Sequence, residues 1–189
     1  MEVKIKTALE KALERAASLK EVPREEVEKM EYMPRGRTIA ANFINNRNFN
    51  IKEALSQIEI GTEKYVLEGL QEVLLLNISL PQDEAADDHN RRAMEGLLAI
   101  KRDKSLATGI LGEMDHLLGY YRQAMDQTKE RFKQDYEARG RMARKQGQRG
   151  RDSEGIQDFR EEWSSVLRQL NTRFEAGLAE IKVKIRNTD

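Results

Sequence analysis

Two stretches of this chain carry the same apolar spacing, and that agreement restricts the fold more than any other feature. Leu106, Ile110, Met114, Leu117, Tyr121, Met125, Thr128, Phe132 and Tyr136 succeed one another at steps of 4-4-3-4-4-3-4-4. Ile156, Phe159, Trp163, Leu167, Leu170, Phe174, Leu178, Ile181 and Ile185 do so at 3-4-4-3-4-4-3-4. Both are 11-residue patterns, about 3.67 residues per turn, and predict long helices that pack nearly straight or with slight right-handed winding. Any one amphipathic helix has a similar period, so the weight rests on the match between the two. Between them, RGRMARKQGQRGR (139–151) supplies Gly147 and Gly150 to end the first helix, and Asp152 or Ser153 can cap the second. Matching helices joined by a short turn fold back antiparallel. Residues 104–189 are therefore expected to form a long antiparallel coiled-coil-like helical hairpin. An arm of about 40 residues, at ~1.5 Å rise per residue, is about 60 Å long. A turn centred near residue 149 pairs residues whose numbers sum to about 299: Tyr136 with Trp163, Phe132 with Leu167, Met125 with Phe174, Tyr121 with Leu178 and Met114 with Ile185.

The first half reads as a small helical domain, residues 1–103. Ile5, Leu9, Ala12, Ala16 and Leu19 mark an amphipathic helix over 4–20. Pro23 suits the first turn of a second helix, with Glu25 and Glu26 placed where the helix dipole favours acids. Pro34 and Gly36 are expected to break that helix, leaving Thr38 to cap a short piece with Ile39, Phe43 and Ile44. An Asn-rich turn follows, and Asn50 with Glu53 reads as a capping box. Residues 63–78 are apolar on several faces and are expected to be the centre of the core. Ser79 and Gln82 around Pro81 predict the cap of the next helix. That helix has Asp83, Glu84, Asp87 and Asp88 near its start and Lys101 and Arg102 near its end, the order its dipole favours.

Composition narrows the chemistry. The 189 residues contain no cysteine, which removes disulfides, thiolate metal sites and cysteine nucleophiles. The start, MEVKIKTALEKALERAA, lacks the apolar run of a signal peptide, and no 18-residue apolar stretch exists to span a membrane. The expectation is a cytoplasmic protein without a membrane span. Net charge is zero but unevenly spread. Residues 53–95 hold ten acids and three bases, and residues 122–151 hold ten bases and four acids. Such separation bears on partners and self-association.

Glu113-Met-Asp-His116 places a Glu and a His on one helix face, as in di-iron helical bundles, which need two such motifs. His89 has Ala86 three residues before it, so the second motif is missing. Asp87, Asp88 and His89 are explained by a helix start that favours acids. Gly-rich phosphate loops and nucleophile elbows are absent. The expectation is no enzyme, no cofactor and no metal site. The strongest functional signal is the acid-free tip with Arg139, Arg141, Arg144, Lys145, Arg149 and Arg151. A guanidinium fork suits phosphate, so nucleic acid or anionic lipid fits such a tip, as does an acidic protein. The bland alternative is a solvated turn. Base-stacking aromatics are missing from the tip, which argues against sequence-specific reading of RNA.

IKTALEKALERAASL (5–19), GRTIAANFI (36–44) and LPQDEA (80–85) together resemble stretches of an uncharacterised bacterial all-helical protein family of unknown function. The resemblance implies a bacterial, cytosolic helical protein and brings no activity or site residues. The expected fold class is all-α, a small helical domain followed by the hairpin. The expected function is a non-enzymatic interaction or scaffolding protein, working as a homo-oligomer or with a helical partner. Its alternative is nucleic-acid binding through the tip.

Overall fold

The computed structural model describes residues 23–145 and 152–188, and among these the side chains of 143–145 and 152–157 lie outside the description. The helix expected at 4–20 and the glycine turn at Gly147 and Gly150 lie outside the described residues. Everything regular within them is helical: α1 (Arg24–Asn45), α2 (Ile51–Ser56), α3 (Glu63–Leu76), α4 (Glu84–Ile100), α5 (Lys104–Lys145) and α6 (Asp152–Arg186).

α1 starts after Pro23, with Glu25 and Glu26 in its first turn. The break expected at Pro34 and Gly36 does not occur, and α1 runs through both. The reason is tertiary. Gly36, Ile39, Ala40, Phe43 and Ile44, all beyond Pro34, form one buried stripe, so a helix stopping at 34 would carry none of it. Pro34 is exposed, its ring outside the stripe. Thr38, expected as a cap, instead donates its hydroxyl to the carbonyl of Pro34 at 3.0 Å. Gly36 is needed for the crossing with α3: a Cβ there would stand 1.9 Å from the carbonyl oxygen of Val66. Gly69 answers from α3, where a Cβ would stand 2.3 Å from the carbonyl oxygen of Met33. The two backbones touch, and ion pairs Glu25–Lys64, Lys29–Glu68 and Arg37–Glu72 run in the same chain sense along them.

α2 is capped as its sequence predicts, with Asn50 Oδ1 accepting from the backbone N–H groups of Lys52 and Glu53. α3 is the core helix: Val66, Leu70 and Leu74 are fully buried. The cap of α4 is Asp83, whose Oδ1 accepts from the N–H of Ala86 at 2.8 Å, and not Ser79. Ser79 is occupied elsewhere, because the buried Asn90 amide accepts from its N–H and donates to its carbonyl, at 2.9 and 2.8 Å. That clamp, with Ile78 and Leu80 buried beside it, keeps the segment extended until Asp83.

Cations close the carbonyl ends of α1, α4 and α6. Arg92 lies 3.7 Å over the Phe43 ring and donates to the carbonyl of Phe43 at the end of α1. Lys104 donates to Leu98 and Ala99 at the end of α4, and the buried Lys101 to Arg186 and Thr188 at the end of α6.

One continuous core takes Ile39 to Leu97 from α1–α4 and Ala107, Ile110, Leu111, Met114, Leu118, Tyr121, Leu178, Ile181 and Ile185 from α5 and α6. Residue 103, the expected domain boundary, has core residues on both sides. The root of the α5–α6 pair is thus embedded among the earlier helices. Past Tyr121 and before Leu178, the apolar stripe is only half-buried.

Candidate interaction surface

The contacts between α5 and α6 run in opposite chain sense. Tyr121 meets Phe174 edge-on with centroids 5.3 Å apart, Phe132 meets Trp163 at 5.3 Å and Tyr136 meets Phe159 at 4.8 Å. The residue numbers of each pair sum to 295, so the expected register near 299 is wrong by four residues, about one helical turn. Two contacts at the root fix this register. Tyr121 donates its hydroxyl to Asn171 Oδ1 at 2.8 Å, and Leu117 fills the space in front of Gly177, 2.8 Å from where a Cβ would be. Burial also pushes the Tyr121 hydroxyl above its ordinary pKa, with the Glu175 charge adding to it.

Toward the tip, Phe132, Tyr136, Phe159 and Trp163 form one aromatic cluster, with Phe132 also 5.1 Å from Phe159. All four remain partly exposed. Outside the cluster, two adjoining hollows of about 470 and 480 Å³ share Ala124, Gln127 and Phe174. They form a groove floored by Ala124, Leu170 and Phe174, with Tyr120 (67% exposed) at one end and Arg131 and Arg173 on its sides.

The predicted basic tip is only partly in view. Arg139 forks onto Glu162 across the pair and sits 5.5 Å from the Tyr136 ring centroid. Those hydrogen bonds hold the Glu162 carboxyl below the usual carboxylate range. Arg139 therefore serves the α5–α6 contact. Arg141 is exposed. The side chains of Arg144 and Lys145, and residues Arg149 and Arg151, lie outside the described residues. The other motifs are absorbed by ion pairs. Glu113 pairs with Lys184 at 2.9 Å and His116 is exposed. Asp87 pairs with Arg122 at 2.8 Å, and Asp88 with Arg47 and Arg91. His89 lines a hollow of about 450 Å³ with Arg47 and Arg92.

Sequence reasoning missed the groove. A signal for it exists: Arg173 has Gln169, Leu170, Ala176 and Gly177 one turn away and no acid to pair with, unusual in a chain that is 35% charged. No helix among the described residues is long and apolar enough to cross a membrane. No curated protein and no solved structure matches the chain. A family defined only as a "Family of unknown function (DUF6657)" matches residues 52–187, from α2 through α6, and the chain belongs to that family.

Proposed function

We propose that the protein is a non-enzymatic interaction or scaffolding protein, and that α5 and α6 act as a long antiparallel coiled-coil-like hairpin, the arm that meets the partner. One observation carries this: Phe132, Tyr136, Phe159 and Trp163 cover one another yet stay partly exposed on the outer parts of two helices, beyond the residues that join the core. Two helices alone cover little apolar surface per residue, and apolar surface left in this state marks protein contact sites. A cytoplasmic place and an oligomeric state belong to the same reading.

The test is purification of the tagged full chain from its source cell, with and without nuclease. A protein that stays bound after nuclease, and no longer binds when Tyr120 and Leu170 are both changed to Lys, supports the arm. Recovery of nucleic acid alone would overturn it. The second reading, phosphate binding at the tip, is favoured by the acid-free run 139–151 and the exposed Arg141. On that reading, changing Arg141, Arg144, Arg149 and Arg151 to Ala weakens binding equally for all nucleic-acid sequences. The slope of log affinity against log salt then falls by about one unit for each phosphate no longer held.

A further inference from the structure

Two surfaces of this chain are left unsatisfied in complementary ways. The first is the groove. Arg131 and Arg173 are exposed, meet no carboxylate among the described residues, and line one hollow with Leu170 and Phe174. The second is the outer face of the first turns of α1. Val27 is 49% and Met30 74% exposed there. Glu26 and Glu31 flank them and meet no cation among the described residues, while neighbouring Glu25 and Glu28 are paired with Lys64 and Arg24. Each face is an apolar strip edged by charge, one positive and one negative. Glu31 follows Glu26 by five positions, about 7.5 Å along a helix. On the register of the ring pairs Arg173 stands level with residue 122, so Arg131 lies about 13.5 Å farther along the arm, and the two long guanidinium side chains, which line one hollow, lean toward each other to meet both carboxylates.

The two surfaces cannot meet within one copy. The first turns of α1 lie along the first turns of α3, where Lys64 and Glu68 line one hollow with Arg186 and Thr188 at the end of α6. The groove lies at the other end, beyond the contact of Asp87 with Arg122 and toward the tip.

We propose that the groove of one copy binds the N-terminal half of α1 of a second copy. Glu26 and Glu31 face Arg131 and Arg173, and Val27 and Met30 rest on Leu170 and Phe174. The contact joins different patches, so it closes into a dimer if reciprocated and otherwise builds a chain. The four residues named on each face are far fewer than the roughly 20–30 a side of a standard interface, so the contact is weak and sensitive to salt. This inference rests on the reading of α5 and α6 as the interaction arm.

The experiment is sedimentation velocity of the full chain over a concentration series at low and high salt. The mass is expected to rise above that of one chain with concentration and fall back as salt is added. The double variants Arg131→Glu with Arg173→Glu, and Glu26→Arg with Glu31→Arg, should each raise the dissociation constant by at least about tenfold. An equimolar mixture of the two should associate again, because each reversed face then meets the opposite charge. Circular dichroism verifies that the variants fold, and the single changes Arg173→Glu and Glu31→Arg carry the same test if a double variant does not. An unmodified chain that stays monomeric at every concentration overturns the inference. So does a mixture that stays apart. If the chain is monomeric while a foreign protein is still captured through Tyr120 and Leu170, this inference falls and the arm reading stands.

Discussion

Gly36 and Gly69 allow α1 and α3 to touch backbone to backbone, and a methyl group at either position has nowhere to go. A Cβ at Gly36 would stand 1.9 Å from a backbone oxygen, which cannot rotate away as a side chain can. Gly36→Ala is expected to destabilise the fold by about 3 kcal/mol or more, since overpacking here moves two helices apart. Gly109 gives the opposite outcome. Nothing lies within 4 Å of a Cβ built there, so Gly109→Ala should stabilise by about 0.5–1 kcal/mol through helix propensity alone. Urea denaturation of the two variants reads both signs. Tyr121 makes a pH prediction. Its hydroxyl is raised above its ordinary pKa, mainly by burial, so the folded state holds the proton more tightly than the unfolded state. That contribution is fully present below the unfolded pKa of about 10 and is lost as pH rises through the higher folded value. Stability should therefore fall in the alkaline range. Tyr121→Phe should flatten that fall, at a cost of about 1 kcal/mol near neutrality for the missing bond to Asn171. A series of melts from pH 7 to pH 11 checks it.

At the scale of elements, α5 and α6 are each two helices in one. Their roots share the core, with Met114, Tyr121 and Ile185 fully buried, while their outer halves cover only each other. Local opening should follow that division. Backbone amides of 123–142 and 158–173 are expected to exchange faster than those of 107–121 and 178–185 in hydrogen-exchange mass spectrometry. Trp163 is the single tryptophan and sits in the distal cluster. Its fluorescence thus reports the outer pair alone. On adding urea its transition should precede the far-ultraviolet circular dichroism transition, a departure from two-state behaviour. Coincident curves would show that the outer pair unfolds with the core.

For the whole molecule, the continuous core sets what can be removed. A chain ending at residue 103 loses Ala107, Ile110, Leu111, Met114, Leu118, Tyr121, Leu178, Ile181 and Ile185 from that core. It should show no cooperative melt. A chain in which residues 126–169 are replaced by a short glycine-rich turn keeps all of them and should melt cooperatively. It should also fail to associate, because Arg131 is gone. Circular dichroism melts of both chains test the core, and sedimentation of the second tests the arm.

What could be read from the chain alone was whatever is periodic or local. The all-helical class, the two long stripes, the burial of Val66, Leu70 and Leu74, and the Asn50 cap depend on residues within a few turns of one another. Tertiary contacts decided the rest. α1 continues through Pro34 because α3 lies against both sides of that position, and α4 starts at Asp83 because Asn90, eleven residues after Ser79, takes the Ser79 backbone. The α5–α6 register moved by a turn because a 3-4 stripe repeats every turn and looks alike when slid by four residues. Among the described residues Tyr121 on Asn171, Leu117 against Gly177 and the ring pairs toward the tip separate the two alignments. Charge followed the same rule: the number of arginines in the distal segment is a property of the chain, but which of them are already paired depends on the facing helix, as Arg139 on Glu162 shows.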